Sequence, residues 1–350
     1  MSAKAFDTAP KLPFSKGVNF TKWFESRSFS DIDFNKYTEK DFIDIKTLGL
    51  DTVRLPVSFH NFLTAQKKLE SGLLKYLDTV ISWADKHKIY LILDNHSFHP
   101  VNATEDNIDT ILIPVWEELA RHFKDSSDYL IYEILNEPHL ITDIRWNEIQ
   151  NATLSALRKI DKERFVIIGG TNYNSIDGML KLPILDDKKL IYTFHFYDPH
   201  IFTHQGASWN RPSLEPLSDL PFPVKSGYIH PVHDTFKGTW VEEALKHYHI
   251  DSRLEKLCET LDKAKDFSVK NNVPVFCGEF GVYMMQSPEK DRVYWYSFFC
   301  EELAKRNIPW TCWDYFGGFG IFKTMQRGEF PSGLNMDIIK AMGLNHFTFP

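Results

Sequence analysis

Cysteine pairs, basic runs and long apolar runs are all missing from this 350-residue chain, and each absence excludes a class of protein. The four cysteines form no CxxC pair, which argues against a zinc site and against a disulfide-stabilised scaffold. We therefore expect buried free thiols at Cys258, Cys277, Cys300 and Cys312. A formal net charge of −7, without any basic run, argues against nucleic acid and anionic membranes as partners. No apolar stretch is long enough to span a membrane.

Short apolar and β-branched runs alternate with longer amphipathic stretches along most of the chain. Several of the short runs are almost wholly apolar, which is typical of strands buried on both faces of a parallel sheet. Helical patterns lie between them, for example at 73–88, 111–124, 143–160 and 288–307. The predicted strands are 16–20, 51–57, 89–96, 129–138, 165–170, 190–199, 273–281 and 309–317.

This alternation predicts an α/β fold, a (β/α)8 TIM barrel that forms a single domain over residues 1–350. A doubly wound open sheet is the alternative, but the glycine-rich phosphate-binding fingerprint of that fold is absent after the first strand. The stretch from Ile201 to about Arg253 is too long for an ordinary connection and is rich in Trp, His and Pro. We expect it to be a long loop insertion after strand six, with a functional role.

Polar side chains occur at the ends of most predicted strands. In a barrel the C-terminal strand ends meet at one mouth, where the active site of such enzymes lies. Any one of these residues has a packing explanation, such as a structural ion pair or a satisfied core histidine. Together they are hard to explain by packing, because unpaired buried charges cost too much. The residues are Arg54, His96, Asn136, Glu137, His195, Tyr197, Glu279 and Trp313.

Two of these residues are carboxylates that face one predicted cleft. Two carboxyl groups are the minimum equipment for cleaving a glycosidic bond: one protonates the leaving oxygen, and the other attacks the anomeric carbon. Glu137 ends strand four and Glu279 ends strand seven, roughly across the barrel. The pair can therefore flank a sugar ring.

Several motifs resemble those of glycoside hydrolase family 5, the cellulase family, whose two glutamates follow strands four and seven. The eight positions usually shared by that family are filled here in the right order. The motifs are ILNEPH (134–139), GEFG (278–281), VRLP around Arg54, DNH ending at His96, FHFYDP (194–199) and Trp313. Two further stretches, HIFTHQGASW (200–209) and CWDYFGGFGIF (312–322), are similar to the bacterial endoglucanases in particular.

The resemblance implies roles for five catalytic residues. Glu137 would be the general acid/base and Glu279 the nucleophile of a retaining reaction, with their carboxyl groups about 5–5.5 Å apart. Tyr197 would hydrogen-bond Glu279. Arg54 would keep Glu279 ionised while Glu137 holds its proton. His195 would tune the cycling of Glu137 between acid and base.

The resemblance also implies substrate-binding residues. Asn136 would contact the 2-hydroxyl of the sugar at the cleavage point, Trp313 would stack under a sugar ring, and His96 would contact the sugar on the nonreducing side. Trp240 is expected to pack in the insertion. The weaker binding candidates are Trp23 and Glu25 after strand one, with His204 and Trp209 in the insertion.

Two departures from the family pattern leave the sugar preference open. The family often has a Trp a few residues after the Arg of strand two, where this chain reads SerPheHis (58–60), and some relatives have a second His where it has Ser97. The leading expectation is a retaining endo-β-1,4-glucanase. Mannan or glucomannan, mixed-linkage glucan and xyloglucan remain as alternatives, and endo versus exo action is undecided.

Two hypotheses of other classes compete with this one. A metal-dependent barrel enzyme would use histidines such as His96, His99, His195, His200 and His204, but these lack the HxH and HExxH spacings that set ligand geometry. A sugar-binding barrel that has lost catalysis is disfavoured because both glutamates are intact. We expect no cofactor and no metal, a β-linked glucan as partner, and a monomer.

The expected location is secreted or periplasmic, because polymeric glycans are normally met outside the cell. The residues MSAKAFDTAPKLPF lack the apolar core of an export signal. A leader removed earlier would leave the same residues, so the cytoplasm also stays open.

Overall fold

The computed structural model describes residues 10–97 and 102–344. Eight parallel strands pair in chain order and close into a barrel, with β8 hydrogen-bonded to β1. The predicted (β/α)8 barrel is therefore confirmed. The strands are β1 (Lys16–Asn19), β2 (Thr52–Val57), β3 (Tyr90–Asn95), β4 (Leu130–Glu133), β5 (Val166–Gly169), β6 (Leu190–Phe196), β7 (Val275–Phe280) and β8 (Trp310–Cys312).

Helices surround the barrel and connect its strands. They are α1 (Glu39–Thr47), α2 (Ser71–His87), α3 (Asp109–Phe123), α4 (Asp143–Arg158), α5 (Thr171–Asn174), α6 (Ile176–Met179), α7 (His200–Thr203), α8 (Trp240–Asp251), α9 (Leu254–Asn271), α10 (Glu289–Lys305) and α11 (Met336–Ala341). Short 3-10 helices lie at Phe29–Asp31, Phe59–Phe62 and Asp234–Phe236. No helix in the described part of the chain is both long enough and apolar enough to cross a bilayer.

The N-terminal end of the barrel is closed by a separate apolar cluster. Five consecutive strands, β3 to β7, each contribute one buried apolar side chain to it, and Phe14, which precedes β1, joins them. The Phe14 ring meets the Phe276 ring edge-on, with 5.3 Å between centroids. This end is therefore packed, and the polar residues of the strands are left for the opposite end.

Three buried helix tryptophans fix the loops that carry the site. Trp116 donates its indole N–H to the carbonyl of Ile134, 2.9 Å away, just after β4. Trp146 of α4 and Trp295 of α10 do the same at the ends of β5 and β6, and their acceptors are the carbonyls of Gly169 and Asp198. Part of the high aromatic content thus positions the strand ends, because each indole both fills the barrel–helix interface and pairs a backbone oxygen.

Two predictions about this frame need correction. β4 was expected to run over 129–138, but it ends at Glu133, so Glu137 stands four residues past the strand. The stretch after β6 was expected to be a loop insertion, yet it contains α7 and the twelve-residue α8. Thr239 begins α8 by accepting a hydrogen bond from the N–H of Val241, so a capping residue was present in the sequence.

The cysteine prediction is confirmed for the free state of all four thiols and for the burial of three, but not for the burial of Cys258. All four thiols are free; three are buried and Cys258 is half-buried.

Candidate active site

A cleft of about 950 Å³ opens at the C-terminal ends of the strands. Its position is the one expected for the active site of a barrel enzyme. Ten of the twelve residues predicted for the site line it: Glu25, His96, Asn136, Glu137, His195, Tyr197, His204, Trp209, Glu279 and Trp313.

Arg54 lies beneath the cleft and is fully buried. Its Nη1 is 2.7 Å from Oε1 of Glu279, and Nη2 is 2.8 Å from Oδ1 of Asn136. The same guanidinium forms a two-nitrogen pair with Glu133, Nε–Oε2 2.7 Å and Nη2–Oε1 2.9 Å, and an ion pair with Asp94 at 3.0 Å. Arg54 thus joins the nucleophile candidate to two further buried carboxylates.

Sequence reasoning missed Glu133, Asp94 and Asn19 as members of this network. Asn19 accepts a hydrogen bond from Nη1 of Arg54 at 3.0 Å and donates to the carbonyls of Gly278 and Cys312. A signal was available, because a buried arginine requires carboxylates or carbonyls for its five N–H groups. Glu133 and Asp94 were the acidic residues inside neighbouring buried strands.

Glu137 occupies a turn rather than the strand itself. The N–H of Asn136 donates to the carbonyl of Asn95 at 3.0 Å, which holds the turn against β3. Glu137 then takes a left-handed backbone conformation with φ of 46°. A non-glycine residue in this region is costly and is typical of functional sites. In this conformation the Glu137 side chain lines the cleft.

Glu137 pairs with His195 across the cleft floor. Nδ1 of His195 is 2.7 Å from Oε1 of Glu137. Burial raises the pKa of Glu137 to about 7, against the opposing charges of His96 and Arg54. Burial also lowers the pKa of His195 to about 4, so this imidazole is neutral at pH 7. The side-chain amide of Asn174 lies 3.5 Å from Nε2 of His195, and a ring proton on Nδ1 would face Glu137.

Glu279 is held by two donors at the end of β7. The hydroxyl of Tyr197 donates to Oε2 at 2.9 Å, and Nη1 of Arg54 donates to Oε1. The predicted hydrogen bond from Tyr197 to Glu279 is therefore present. Burial raises the pKa of Glu279, and the charges of His195 and Arg54 oppose this rise. A register shift in β6 between Phe194 and His195 places His195 opposite Glu279.

Trp313 and His96 form one wall of the cleft. Their rings stack with centroids 5.6 Å apart and planes 18° apart, and Trp313 is half-buried. Burial opposes the charged form of His96, but its Nδ1 is 2.8 Å from Oδ2 of Asp94, and this pairing raises the pKa of His96 to about 9. His96 is thus a cation at pH 7, with an aromatic face beside it.

Trp23 was predicted to bind sugar, and this prediction is wrong. It is 1% exposed and packs against Phe24, Tyr37 and Tyr76, so its ring cannot reach the cleft. Glu25 does line the cleft and accepts a hydrogen bond from the N–H of Lys22.

The insertion contributes aromatic groups to the cleft. Trp209 is 44% exposed there, and the buried His204 stacks on His200 with 4.0 Å between centroids. Trp240, which was expected to pack away from the site, also lines the cleft, although its indole N–H is bonded to the carbonyl of Arg211 at 2.9 Å.

One group of side chains in the described residues has the spacing of a metal site. The nearest donor atoms of Glu137, His195 and Glu279 all lie within 4.8 Å of one another. His200 and His204 are bonded to Asn210 and Thr203, away from this group. The metal-site hypothesis would therefore need the same two glutamates that the glycosidase hypothesis uses. His99, which that hypothesis also named, lies outside the described residues.

Comparisons with known proteins agree with the fold and show the family. The family described as Cellulase (glycosyl hydrolase family 5) matches residues 15–317. Endoglucanase C of Acetivibrio thermocellus is 30% identical over 87% of this chain and 92% of that protein. Endoglucanase 3 of Fibrobacter succinogenes is 29% identical over 94% of this chain, and the chain spans about half (52%) of its length.

Solved structures show the same likeness. Endoglucanase Cel5A of Thermotoga maritima has a TM-score of 0.78 at 27% identity, covering 94% of this chain and 96% of that one. The Clostridial cellulose synthase subunit Z of Clostridioides difficile has a TM-score of 0.77, also at 27% identity, covering 94% and 99%.

Proposed function

The chain belongs to the cellulase family, glycosyl hydrolase family 5, and it is a glycoside hydrolase; we propose that it is a retaining endo-β-1,4-glucanase. The observation that carries this proposal is the pair Glu137 and Glu279, which face each other across a neutral His195 with carboxylate oxygens within 4.8 Å. In retaining enzymes the nucleophile attacks the sugar directly, so the two carboxyl groups stand close together. In inverting enzymes they stand further apart, because a water molecule must fit between the base and the sugar.

In the first step Glu279 attacks the anomeric carbon. Tyr197 and Arg54 direct its two oxygens and favour the ionised form. As the bond from the anomeric carbon to the leaving oxygen breaks, Glu137 gives its proton to that oxygen. A pKa near 7 keeps Glu137 protonated over the acidic range and ready to donate. The products are a glycosyl ester on Glu279 and a free sugar hydroxyl.

In the second step Glu137 acts as a base. It takes a proton from water, whose oxygen attacks the anomeric carbon and releases Glu279 as a carboxylate. His195 supports both states, because its Nδ1–H can donate to the ionised carboxylate and to the carbonyl oxygen of the protonated acid. Two inversions at one carbon return the starting configuration.

The cleft supports a polymeric β-glucan as substrate. Trp313 lines the cleft and would offer an aromatic face to a sugar ring, and we propose that Asn136, which accepts a hydrogen bond from Arg54, contacts the 2-hydroxyl beside the cleavage point. Aromatic groups from two parts of the chain line the cleft, Trp313 after β8 and Trp209 with Trp240 in the insertion, and we propose endo action on a chain bound along them.

A mannan or glucomannan activity is the second candidate. Cel5A of Thermotoga maritima has been crystallised with mannotriose as well as with cellobiose. Since the residues at 58–60 and 97 depart from the common family pattern, the preference of this chain has to be measured.

Hydrolysis of a polysaccharide panel tests the proposal. Reducing-sugar release would be measured on carboxymethylcellulose, mixed-linkage glucan, glucomannan, galactomannan, xyloglucan and xylan, with and without chelator. Glu137→Gln and Glu279→Gln run alongside, and proton NMR of the first product reads its anomeric configuration. We expect chelator-resistant release of β-anomer from a glucan, lost in both variants. Release of α-anomer, or activity that survives Glu279→Gln, would overturn the mechanism.

The remaining proposals concern state and location. We propose a monomer that acts outside the cytoplasm, where it meets its polymer. Light scattering and fractionation of the source cells test these two statements.

A further inference from the structure

A second concavity of about 320 Å³ adjoins the cleft, between α8, α9 and the loop that follows β6. We call it the side pocket and define it by Asp198, Trp240, Tyr248, Asp251 and Lys256. Asp198 and Trp240 also line the cleft, as does His200, so the two concavities meet along a shared edge. A ligand that occupies the cleft can therefore extend into the side pocket.

The side pocket lies at one defined end of the cleft. It adjoins β6, while Trp313 and Asp314 follow β8 and Glu25 follows β1, two and three strands further round the barrel. Glu279, which ends β7, stands between these positions and the side pocket. If Trp313 stacks under the sugar that is transferred to Glu279, the side pocket adjoins the leaving-group half of the substrate.

Three charged side chains of the side pocket have no hydrogen-bond or ion-pair partner within residues 10–97 and 102–344. They are Asp198, Asp251 and Lys256. Asp198 and Lys256 are exposed at the rim of the side pocket, and Asp251 is half-buried. The side pocket therefore has hydrogen-bond acceptors and one donor available, and a sugar hydroxyl can bind to either kind because it both donates and accepts.

The apolar part of the side pocket has a shape that suits a ring. Trp240 is 42% exposed, and Tyr248 is buried with its hydroxyl bonded to the carbonyl of Pro221 at 2.7 Å. Pro199, Ile201 and Leu257 complete the apolar surface. Aromatic and aliphatic walls with a few polar groups, in a volume at the lower end of the roughly 300–1,000 Å³ of ligand sites, are typical of a small-molecule pocket.

We propose, on the premise of the glucanase activity proposed above, that the side pocket is an accessory subsite for a pyranosyl unit of the leaving group. An apolar face with hydroxyl-binding groups at its edge is the chemistry of a pyranose. The unit has two sources, either the next sugar of an unbranched backbone or a sugar branch on that backbone. Both present the same ring to the pocket.

Two variants alter the side pocket without touching the cleft. Ala244→Phe adds a phenyl ring to the pocket wall from α8, and Asp251→Asn removes one of the unpaired carboxylates. Glu259→Gln, on the exposed surface of α9, is the matched control for the carboxylate change. If the larger side chain disturbs folding, Asp251→Asn still tests the site.

The substrates separate the two halves of the cleft. For 4-nitrophenyl β-cellobioside, which has no sugar in its leaving group, we expect kcat/KM to stay within about twofold in every variant. For cellohexaose or a xyloglucan oligosaccharide we expect kcat/KM to fall about tenfold in Ala244→Phe and in Asp251→Asn, but not in Glu259→Gln. A loss confined to cellohexaose identifies a backbone sugar, and a loss confined to xyloglucan identifies a branch.

Two results would overturn the subsite. One is an equal loss on the aryl glycoside, which would indicate a structural effect on the whole site. The other is an unchanged kcat/KM on every sugar leaving group in both variants. A wild-type protein that hydrolyses none of these substrates would instead remove the glucanase proposal, and the subsite with it.

Discussion

Arg54 binds Glu133 through two nitrogens and Glu279 through a third, so one fully buried guanidinium connects Glu279, the proposed nucleophile, to a carboxylate on β4. The shorter contacts, Nε–Oε2 of Glu133 and Nη1–Oε1 of Glu279, are both 2.7 Å. Because a bidentate pair fixes the plane of the guanidinium, Glu133 determines where the remaining nitrogen points. The orientation of Glu279 therefore depends on a residue that does not line the cleft.

Glu133→Gln should reduce both turnover and stability. The amide offers N–H where Arg54 needs an acceptor, and breaking a buried pair typically costs about 3–5 kcal/mol. We expect kcat to fall at least about tenfold with a smaller change in KM, because the substitution alters the orientation of the Glu279 carboxylate and leaves the sugar contacts in place.

Denaturant unfolding and steady-state kinetics check this expectation. Glu117→Gln, which removes a half-exposed partner of Arg121, is the control and should change the free energy of unfolding by less than about 1 kcal/mol. A Glu133→Gln enzyme with normal kcat would show that Arg54 holds Glu279 without this brace.

The pH dependence of kcat/KM should report Glu137. The reaction needs Glu137 protonated, and its pKa is about 7, so the rate should be lost as pH rises through about 7. The neutral His195 does not contribute a second limb there, because its pKa is about 4. Rates on cellohexaose, whose leaving group needs the proton, across pH 4–9 test this.

An aryl leaving group also separates the two roles of Glu137. Nitrophenolate departs with little protonation, so Glu137→Gln should reduce the rate of the first step much less on the aryl glycoside than on cellohexaose. Burst kinetics would show accumulation of the glycosyl-enzyme. Equal losses on both substrates would argue against Glu137 as the acid.

Trp313→Phe and Trp23→Phe form a matched pair that tests the corrected assignment. Trp313 is half-buried in the cleft wall, whereas Trp23 is packed among aromatic rings in the core. We expect Trp313→Phe to raise KM severalfold with little change in stability. Trp23→Phe should lower the free energy of unfolding by about 1–3 kcal/mol and leave KM unchanged. If Trp23→Phe instead raised KM while Trp313→Phe lowered only the free energy of unfolding, Trp23 would be a sugar contact after all.

The contrast between these tryptophans shows what could be predicted from the sequence. The barrel and the mouth residues follow from apolar runs that end in Arg, His or Glu, because strand ends meet at one face whatever the helices do. The burial of Trp23 depends on Tyr37 and Tyr76, which lie 14 and 53 positions away and pack on it only in the folded barrel. Contacts at such separations leave no local pattern.

The buried partners of Arg54 were a different kind of omission. Glu133 stands inside an apolar run, and Asp94 lies in the neighbouring strand β3, two positions before His96. Because side chains alternate between the two faces of a strand, both positions fit the inward-facing pattern of the barrel. Counting the hydrogen-bonding needs of one buried guanidinium would have directed attention to them. The helix α8 was missed because its aromatic and histidine content resembled a loop, although Thr239 marked its start.

Glu137→Gln should stabilise the protein, and more so at high pH. The folded-state pKa of Glu137 is about 7, above the roughly 4.3 of an unfolded chain, so the folded protein binds this proton more tightly. The associated stability is fully present below about pH 4 and is lost as pH rises through about 7, at a cost of up to about 4 kcal/mol. An amide cannot ionise and avoids this loss. Urea unfolding at pH 5 and pH 8 should therefore show a larger gain for Glu137→Gln at pH 8, while Glu117→Gln shows no such difference. A gain that is equal at both pH values would mean that Glu137 is not held at a raised pKa in the folded protein, and the acid would then have to acquire its proton only when substrate excludes water from the cleft.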